Sequence, residues 1–357
     1  MREIPQLKKK PGFALVLSGG ATKAFYFHLG VLRVLGTDNV SSIVGSSAGA
    51  IMGAFIASGA TVDTLLTSLY QKQVYLPKFD AWIKTLTSQM LFKPRYMSIA
   101  RQSAYTGLNA LQFLATLPRL YNKDILAEVI DTLVDSQSQS AGFFNSVALE
   151  HLFESLLPSN DFADAEIDLY VTGTCLDYDV RGVFNGLYDF QDGDNFFMTD
   201  VPISKAVRAS SSLPGMFEPV KIKGRYYVDG EIRQTLSADV GLNVADKVIV
   251  SHTYQPLFMA GEGSVRDLGW VNVLKQSLFI ALRERIDIWR KLYMQLYPDK
   301  EILWIEPDPD DSDFFLSPEF SFRPEVQRKL IASGERAAER ALSNSQSKTV
   351  YLDRRLR

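Results

Sequence analysis

The sequence predicts an α/β fold in which helices cover a mainly parallel central sheet. Two short apolar stretches, 14–17 and 42–44, each lead through a loop of small residues into a stretch with helical spacing of apolar side chains. Strand–loop–helix units in series are typical of parallel sheets, because the helix must cross the sheet before the next strand begins. The chain has 357 residues, of which 46% are hydrophobic. We therefore expect a three-layer sandwich of helices, sheet and helices.

Charge, cysteine content and hydropathy exclude several classes of protein. The formal net charge is −3, so the overall charge does not indicate a nucleic-acid-binding protein. Cys175 is the only cysteine, which rules out an internal disulfide. The sequence lacks an apolar run of about 18 residues, and residues 1–13 contain three lysines but no apolar run, so we expect neither a transmembrane helix nor a signal peptide. We expect a cytoplasmic or peripheral membrane protein.

The most informative stretch is 43–50, which reads Ile-Val-Gly-Ser-Ser-Ala-Gly-Ala. It contains Gly45-x-Ser47-x-Gly49, the spacing of a nucleophile elbow, in which a strand turns sharply into a helix. Such a turn holds the serine in a strained conformation and exposes its hydroxyl to substrate. It also leaves the Ala48 N–H at a helix N-terminus, where it can stabilise an oxyanion. The pentapeptide alone is equally typical of an ordinary tight turn.

A second loop of small residues, 18–23, joins the first predicted strand to a helix that begins near Ala24. Free N–H groups converge where a loop enters a helix N-terminus, so the loop is suited to hold a phosphate or an oxyanion. The loop lacks the Gly-Lys-Ser/Thr ending of a P-loop and the Gly-x-Gly-x-x-Gly pattern of a dinucleotide fold. With a nucleophile elbow in the next unit, we favour an oxyanion loop over a plain turn.

The segment 74–122 differs in composition from the rest of the chain. It contains eight aromatic residues and six basic residues against one acidic residue, in a protein whose net charge is negative. An aromatic and basic insertion is typical of a membrane-facing cap, although an ordinary helical subdomain would use the same aromatics as core. We predict a helical, cap-like insertion over 74–122, within a domain that spans 12–343 and has flexible termini at 1–11 and 344–357.

The remaining elements follow from hydrophobic periodicity and turn signals. We predict further strands over 167–175, 180–184, 225–228, 248–250 and 302–305. We predict further helices over 61–73, 124–134, 146–157, 267–296 and 324–342, and a short one from residue 204. In the long helix, the expected apolar face carries Leu274, Leu278, Ala281 and Leu282. The acidic stretches 189–194 and 306–313 are expected to be solvated loops, not metal sites.

A serine hydroxyl needs a neighbouring base to become a nucleophile, and two arrangements are open. Asp229 ends a predicted strand and is followed by Gly230, which suits a catalytic carboxylate and equally suits an ordinary turn. His252 lies beyond it, so Ser47, Asp229 and His252 have the chain order of an α/β-hydrolase triad. Alternatively, Asp229 contacts the Ser47 hydroxyl directly, as a dyad. The two other histidines are assigned to structural and surface positions on helices: His28 and His151.

Four stretches resemble the patatin-like phospholipase family, in the family's order. They are 18–24 continuing to 28–32, then 45–49, 205–215 and 229–230. The resemblance implies a patatin-like sandwich in which Ser47 is the nucleophile and Asp229 is the base of a dyad without a catalytic histidine. It implies an oxyanion hole from the N–H groups of Gly19, Gly20 and Ala21, and no cofactor or metal.

The sequence departs from the family pattern around both site loops. The family usually has Asp-Gly-Gly-Gly-x-Arg/Lys-Gly, whereas Ser18, Ala21 and Ala24 replace the acid and two of the glycines here. A positive φ at Ala21 would be disfavoured, because its side chain restricts the backbone. Glu231 stands where the family usually has Gly or Ala. Its charge would raise the pKa of Asp229 if the two carboxylates are close.

The resemblance implies a serine hydrolase of the phospholipase A or lysophospholipase type, which cleaves lipid esters through an acyl-enzyme. Its expected partners are a phospholipid or other lipid ester and a membrane surface, with no nucleic acid. Two alternatives are kept. One is a catalytically weak lipid- or protein-binding module with the same fold, and the other is a His252-assisted carboxylesterase or thioesterase.

Overall fold

The structure, a computed structural model, describes residues 7–71, 73–76, 79–84, 93–94, 142–259 and 263–355. The strands are β1 Phe13–Leu17, β2 Val40–Gly45, β3 Gln73–Leu76, β4 Ala81–Lys84, β5 Lys93–Pro94, β6 Gly142–Asn145, β7 Asp168–Cys175, β8 Val180–Phe184, β9 Phe190–Asp192, β10 Asn195–Met198, β11 Gly215–Phe217, β12 Val220–Ile222, β13 Arg225–Asp229, β14 Lys247–Ser251 and β15 Glu301–Ile305. The α-helices are α1 Ala21–Leu35, α2 Ala48–Ala57, α3 Val62–Tyr70, α4 Val147–Leu156, α5 Ile203–Ser210, α6 Ala238–Val244, α7 Trp270–Leu296, α8 Ser312–Leu316 and α9 Pro324–Arg355. Short 3-10 helices lie at Phe162–Asp164 and Val265–Leu268.

A ten-stranded sheet forms the centre of the fold, and its main order is β15-β14-β1-β2-β7-β8-β10-β9. The strands from β15 to β7 all pair in parallel. β8 is antiparallel to β7, and β10 is parallel to β8 and antiparallel to β9. β12 and β13 form a hairpin that joins the sheet through β13. The predicted mainly parallel sheet is therefore confirmed.

Two apolar cores lie on opposite faces of this sheet. Alternation along β1 places Leu15 and Leu17 in one core and Ala14 and Val16 in the other, because successive side chains of a strand point to opposite faces. Residues of α1, α2 and α9 fill the first core. Residues of α6 and α7 fill the second. The sandwich of helices, sheet and helices is as predicted.

The predicted helical insertion differs from the structure wherever the structure describes it. β3 and β4 pair antiparallel, and the Tyr75 and Trp82 rings face each other across the pair with centroids 5.4 Å apart. Aromatic side chains pack well across strands, and the sequence analysis did not weigh this preference against a helix. The other residues of 74–122, and the predicted helix over 124–134, lie outside the described residues.

The predicted apolar face of the long helix is wrong at three of its four residues. Leu274 and Leu278 are 64% and 56% exposed and Ala281 is exposed, whereas Leu282 packs against the second core. The buried residues of α7 are Phe279, Ile286 and Tyr293. Those three residues are seven apart, which keeps them on one side of a helix, and they pack in the second core. The long helix thus buries an aromatic and aliphatic stripe and leaves Leu274 and Leu278 exposed.

Three segments are more ordered than the sequence analysis expected. The stretch 189–194 is part of an antiparallel hairpin of β9 and β10, and α8 begins at Ser312, within the acidic stretch 306–313. Leu7 is buried, and the Lys10 N–H donates to the Val244 carbonyl at 3.0 Å, so residues 7–10 pack on the domain. The last helix continues past its expected end at residue 342, to Arg355.

Among the described residues, no single helix is both long enough and apolar enough to cross a membrane. Helices α2 and α3 meet the criteria of length and composition only when taken together, and they are bent by 118° relative to each other.

A fully buried ion pair ties the sheet to the helix layer of the second core. The Arg181 guanidinium in β8 donates to both carboxylate oxygens of Asp239 in α6, at 2.9 and 2.5 Å. Its Nε also donates to Asn195 in β10 at 2.9 Å, and Gln234 donates to Asp239 at 2.9 Å. The side chains of Arg181 and Asp239 are only 1% and 3% exposed. Removing one partner therefore leaves an uncompensated buried charge.

Asp239→Ala tests this pair. We expect it to lower the free energy of unfolding by about 3 to 5 kcal/mol, because Arg181 stays buried without its carboxylate. Asp200→Ala is the matched control, since its exposed carboxylate pairs with Lys223 at the surface and should contribute less than about 1 kcal/mol. Chemical denaturation followed by circular dichroism measures both values. Equal stability of the two variants would show that the buried pair does not hold the layers together.

Candidate active site

The predicted elbow forms at the junction of β2 and α2. Ser47 has φ 52° and ψ −118°, a conformation that residues with side chains rarely adopt. A Cβ on Gly45 would lie 2.5 Å from the Gly49 carbonyl oxygen, and one on Gly49 would lie 2.2 Å from the Leu17 carbonyl oxygen. The two glycines of the motif are therefore required by the close approach of β1, β2 and α2. The strain at Ser47 is of the kind found at nucleophile elbows.

Hydrogen bonds from neighbouring elements hold the elbow in place. The Ser46 N–H donates to the Leu17 carbonyl at 3.1 Å, and the Gly49 N–H donates to the Ser18 carbonyl at 3.1 Å. The Ser47 N–H donates to the Ser210 hydroxyl at 2.8 Å. These bonds fix the serine on three sides, so its position does not depend on the α2 helix alone.

Strand pairing brings Asp229 to the elbow. β2 pairs with β7 as far as Gly45, opposite Val171, and β8 occupies the other edge of β7. β13 pairs with β7 two residues farther on, with Asp229 opposite Gly173. Because β8 already lies on one edge at this point, β13 must continue the edge that β2 leaves. The end of β13 therefore meets the residues that follow β2.

The segment 205–215, which the resemblance had marked without a role, supports both residues. Ser210, at the end of α5, accepts the Ser47 N–H, and the Ser212 carbonyl accepts the Asp229 N–H at 3.1 Å. The glycine after the aspartate is also required, because a Cβ on Gly230 would lie 2.5 Å from the Thr172 carbonyl oxygen. One short segment thus accepts hydrogen bonds from the backbone of both Ser47 and Asp229 and fixes their relative positions.

The Asp229 carboxyl is 4% exposed, and burial raises its pKa from 3.8 to about 6. Hydrogen bonds from the Glu231 N–H and the Ser47 side chain act in the opposite direction and keep the shift moderate. The structure therefore brings together the two residues that the sequence analysis placed in a dyad. A carboxylate with such a raised pKa is a stronger base than an exposed aspartate and is still largely ionised at neutral pH.

The glycine loop lies beside Ser47, with three N–H groups open. A Cβ on Gly19 would lie 3.0 Å from Ser47 Cβ, so the loop touches the serine. Among the residues that the structure describes, the N–H groups of Gly20, Ala21 and Ala48 have no acceptor. Ala21 adopts φ 56°, the positive value that its side chain disfavours. Of the four predicted oxyanion donors, the Gly19 N–H is the one that has an acceptor among the described residues, Glu231 Oε1 at 2.9 Å.

Glu231 is the site residue whose contacts the sequence analysis missed. It was noted only as a charge near Asp229, and the structure confirms that proximity, since the Glu231 N–H donates to Asp229 Oδ1 at 2.9 Å. Its carboxyl is 7% exposed, and burial followed by the charge of Asp229 raises its pKa to about 7. The bond to the glycine loop joins residues 212 apart in the chain, and local sequence signals do not reveal such a contact.

The three histidines have other partners. His28 is buried between Ser251 Oγ at 2.8 Å and the Ser18 carbonyl oxygen at 3.0 Å, and burial lowers its pKa to about 4. Its neutral ring supports the glycine loop, as the predicted structural role requires. His252 Nε2 lies 2.9 Å from Glu306 Oε2, and its ring packs edge-on against Trp304. The exposed His151 contacts Glu154 at 2.9 Å.

No group of three or more His, Cys, Asp or Glu side chains is arranged to hold a metal ion within the described part of the chain. In the acidic stretch 306–313, carboxylates pair with basic residues of the last helix instead. Asp311 lies 2.8 Å from Arg336, and Asp308 pairs with Arg340.

A family model decides the relationship of this chain to known proteins: the model for patatin-like phospholipases matches residues 15–242. The chain belongs to the patatin-like phospholipase family. The patatin-like region contains the glycine loop, the elbow and the Asp-Gly pair, and it covers more than half of the chain. Patatin-like phospholipases act on lipid substrates.

Solved structures of bacterial proteins are also similar to this patatin-like chain. VipD from Legionella pneumophila is 15% identical, with a TM-score of 0.45, over 94% of this chain and 68% of VipD. The type III effector ExoU is 16% identical, with a TM-score of 0.34, over 94% of this chain and 54% of ExoU. ExoU in complex with SpcU, from Pseudomonas aeruginosa, is 15% identical, with a TM-score of 0.36, over 94% and 53%. The patatin-like chain therefore spans about two thirds of VipD and about half of ExoU.

The raised pKa of Asp229 makes a prediction about stability. The pKa of Asp229 is about 6 in the folded state, whereas the ordinary value is 3.8. Ionisation of this buried carboxyl therefore lowers the free energy of unfolding as the pH rises through that interval. Asp229→Asn removes this penalty, so it should stabilise the protein by on the order of 1 to 3 kcal/mol at pH 8 and by little at pH 4. Asp189→Asn, at an exposed position, is the control. Melting temperatures at both pH values measure the effect, and an equal shift at pH 4 and pH 8 would contradict it.

Proposed function

We propose that this protein is a lipid acyl hydrolase in which Ser47 is the nucleophile and Asp229 the base. The observation that carries the proposal is the meeting of Ser47, at a strained elbow, with the buried Asp229 carboxyl, whose pKa the Ser47 side chain lowers. A carboxylate in this position can accept the serine proton directly, so a histidine is not required.

The reaction follows from these contacts. Asp229 takes the Ser47 proton as the hydroxyl oxygen attacks the carbonyl carbon of the ester, and a tetrahedral oxyanion forms. The intermediate collapses, the ester C–O bond breaks, and Asp229 returns the proton to the leaving alcohol. Water then attacks the acyl-enzyme with Asp229 again as base, which releases the fatty acid and restores Ser47. Since the base must be ionised, activity should rise as the pH passes the Asp229 pKa of about 6.

The oxyanion is proposed to bind the backbone of the glycine loop and the elbow. The free N–H groups of Gly20, Ala21 and Ala48 support this, as does the position of the last two at the first residues of α1 and α2. Helix N-termini carry a partial positive charge that favours a developing negative charge. The expected fourth donor, the Gly19 N–H, is occupied by Glu231 in this arrangement.

A lipid substrate is supported by apolar side chains on the loops that carry the site. Ile232 follows Glu231 and is 47% exposed, and Leu213 follows Ser212 and is 37% exposed. Phe320, also 37% exposed, follows Glu319, whose carbonyl accepts hydrogen bonds from the first turn of α1. Exposed apolar residues around a buried polar centre suit an acyl chain with a reactive ester. Trp82, 62% exposed in the 74–122 segment, agrees with peripheral membrane binding.

Ser47→Ala tests the nucleophile. We expect at least a 1,000-fold loss of fatty acid release from phosphatidylcholine vesicles, lysophosphatidylcholine micelles or diacylglycerol in detergent micelles, because losses of about 1,000-fold or more follow removal of a hydrolase nucleophile. Asp229→Asn should lose a comparable amount while remaining folded. Ser155→Ala, on the exposed face of α4, is the matched control and should keep full activity. Hydrolysis that persists in Ser47→Ala would refute the assignment.

The first alternative, a weakly catalytic binding module, is favoured by the strained Ala21 and the occupied Gly19 N–H. It predicts that lipid or a protein partner binds without turnover and that a fluorophosphonate does not label Ser47. Labelling of the wild type but not of Ser47→Ala would exclude it.

The second alternative, an esterase assisted by His252, is disfavoured by the position of that ring beside Glu306. A dyad enzyme should keep kcat within about fivefold in His252→Asn, because the imidazole is not needed to move the proton. Steady-state kinetics on the preferred lipid measure this, with the melting temperature as a check on folding. A loss in a folded His252→Asn variant as large as that of Ser47→Ala would replace the dyad with a triad.

A further inference from the structure

Glu231 connects three parts of the site. Its Oε1 accepts the Gly19 N–H at 2.9 Å, and its Oε2 accepts the Leu236 N–H at 3.1 Å. Its own N–H donates to Asp229 Oδ1 at 2.9 Å. One residue thus links the glycine loop, the turn before α6 and the carboxylate that we assign as base.

These contacts lie directly beside the nucleophile. The position that a Cβ on Gly19 would occupy is 3.0 Å from Ser47 Cβ, 3.0 Å from Glu231 Cγ and 3.1 Å from Tyr254 Oη. The serine, the extra carboxylate and a phenol therefore converge on the glycine loop. A movement of the Glu231 side chain would change the space next to Ser47.

Keeping a carboxylate here is energetically unfavourable unless it is held by donors. Glu231 is 7% exposed, and among the described side chains no lysine or arginine pairs with it. The N–H groups of Gly19 and Leu236 provide hydrogen bonds instead. A glycine or alanine would avoid the burial but would leave the Gly19 and Leu236 N–H groups without this acceptor.

We propose that Glu231 is a positioning residue that clamps the glycine loop to the end of β13, so that Gly20 and Ala21, and not Gly19, serve the oxyanion. The inference rests on the proposed function. The loop has lost two of the family's glycines, and Ala21 is held at φ 56°, a conformation that persists only when the surroundings enforce it. The clamp at Gly19 provides such enforcement two residues away.

The Glu231 carboxyl also lies beside the proton acceptor and titrates after it. The groups that face Glu231 are Asp229, Tyr254 and the Ser46 hydroxyl. Burial and both carboxylates raise the pKa of Tyr254 far above its usual value, so the phenol stays neutral. The charge of Asp229 helps to raise the pKa of Glu231 to about 7, so Glu231 is largely neutral at the pH where Asp229 titrates, near 6. Replacing Glu231 by a neutral residue should therefore leave the acid limb of kcat/KM within about 0.3 pH units of the wild type.

The experiment compares Glu231→Ala, Glu231→Gln and the wild type, with the exposed Glu154→Gln as matched control. We expect Glu231→Ala to lower kcat 10- to 100-fold with KM changed less than threefold. Glu231→Gln keeps one acceptor oxygen, so kcat should recover to within about fivefold of wild type. Its acid limb should stay within about 0.3 pH units of the wild type, because Glu231 is largely neutral where Asp229 titrates. Glu154→Gln should change none of these values.

Hydrogen–deuterium exchange provides a readout that does not depend on turnover. The Gly19 amide should exchange at least tenfold faster in Glu231→Ala than in the wild type or in Ser47→Ala, because only the first variant loses its acceptor. If the wild type shows no Ser47-dependent hydrolysis, the proposed function fails, and the exchange rate still decides whether the clamp exists.

Three results would overturn the proposal. Unchanged kcat in a folded Glu231→Ala would show that the glutamate has no positioning role. Higher activity in that variant would show that the carboxylate blocks the oxyanion hole. If Glu231→Ala does not fold, exchange in the wild type decides alone, and a Gly19 amide that exchanges as fast as the Gly20 amide would show that the clamp does not exist.

Discussion

The fold depends on one constraint: β7 presents the same edge first to β2 and then to β13. β2 runs parallel to β7 and ends at Gly45, and β13 arrives antiparallel and ends at Asp229, two positions farther along. Two strands that are remote in sequence therefore point their ends at one another. The chain turns sharply at the elbow after β2 and again at Asp229-Gly230 after β13. The Ser47 hydroxyl and the Asp229 carboxylate therefore come close together. The remaining helices and strands keep that edge in place.

The site concentrates energetically unfavourable features in a small volume. Ser47 and Ala21 have positive φ values, and Asp229 and Glu231 are buried carboxyls with raised pKa values. Specific contacts stabilise these features. For example, the Ser47 N–H donates a hydrogen bond to the Ser210 hydroxyl. Such strain and buried charge are typical of functional sites, because groups selected for reactivity are rarely those that stabilise the fold. The rest of the sandwich supplies the stability that holds them.

The parts of this site that sequence reasoning found are the ones with local signatures. The elbow and the Asp-Gly pair each require glycine at fixed spacing, because backbone atoms come too close for a Cβ. The clamp by Glu231 has no such signature, since its partner Gly19 is 212 residues away. The buried face of α7 was misjudged for a related reason. Spacing of leucines does not show which side of a helix packs on the rest of the protein. In α7 the side that packs in the second core carries Phe279, Ile286 and Tyr293.

The central claim is that Ser47 attacks an ester while the glycine loop and the elbow hold the oxyanion. A crystal structure of the protein after reaction with a long-chain fluorophosphonate tests this most directly. We predict a covalent bond from Ser47 Oγ to phosphorus, with Asp229 beside it and the Glu231 carboxylate still accepting the Gly19 N–H. We also predict that the phosphoryl oxygen lies within about 3 Å of the Gly20, Ala21 or Ala48 nitrogen. A phosphonate on another residue, or a phosphoryl oxygen turned to solvent, would contradict it.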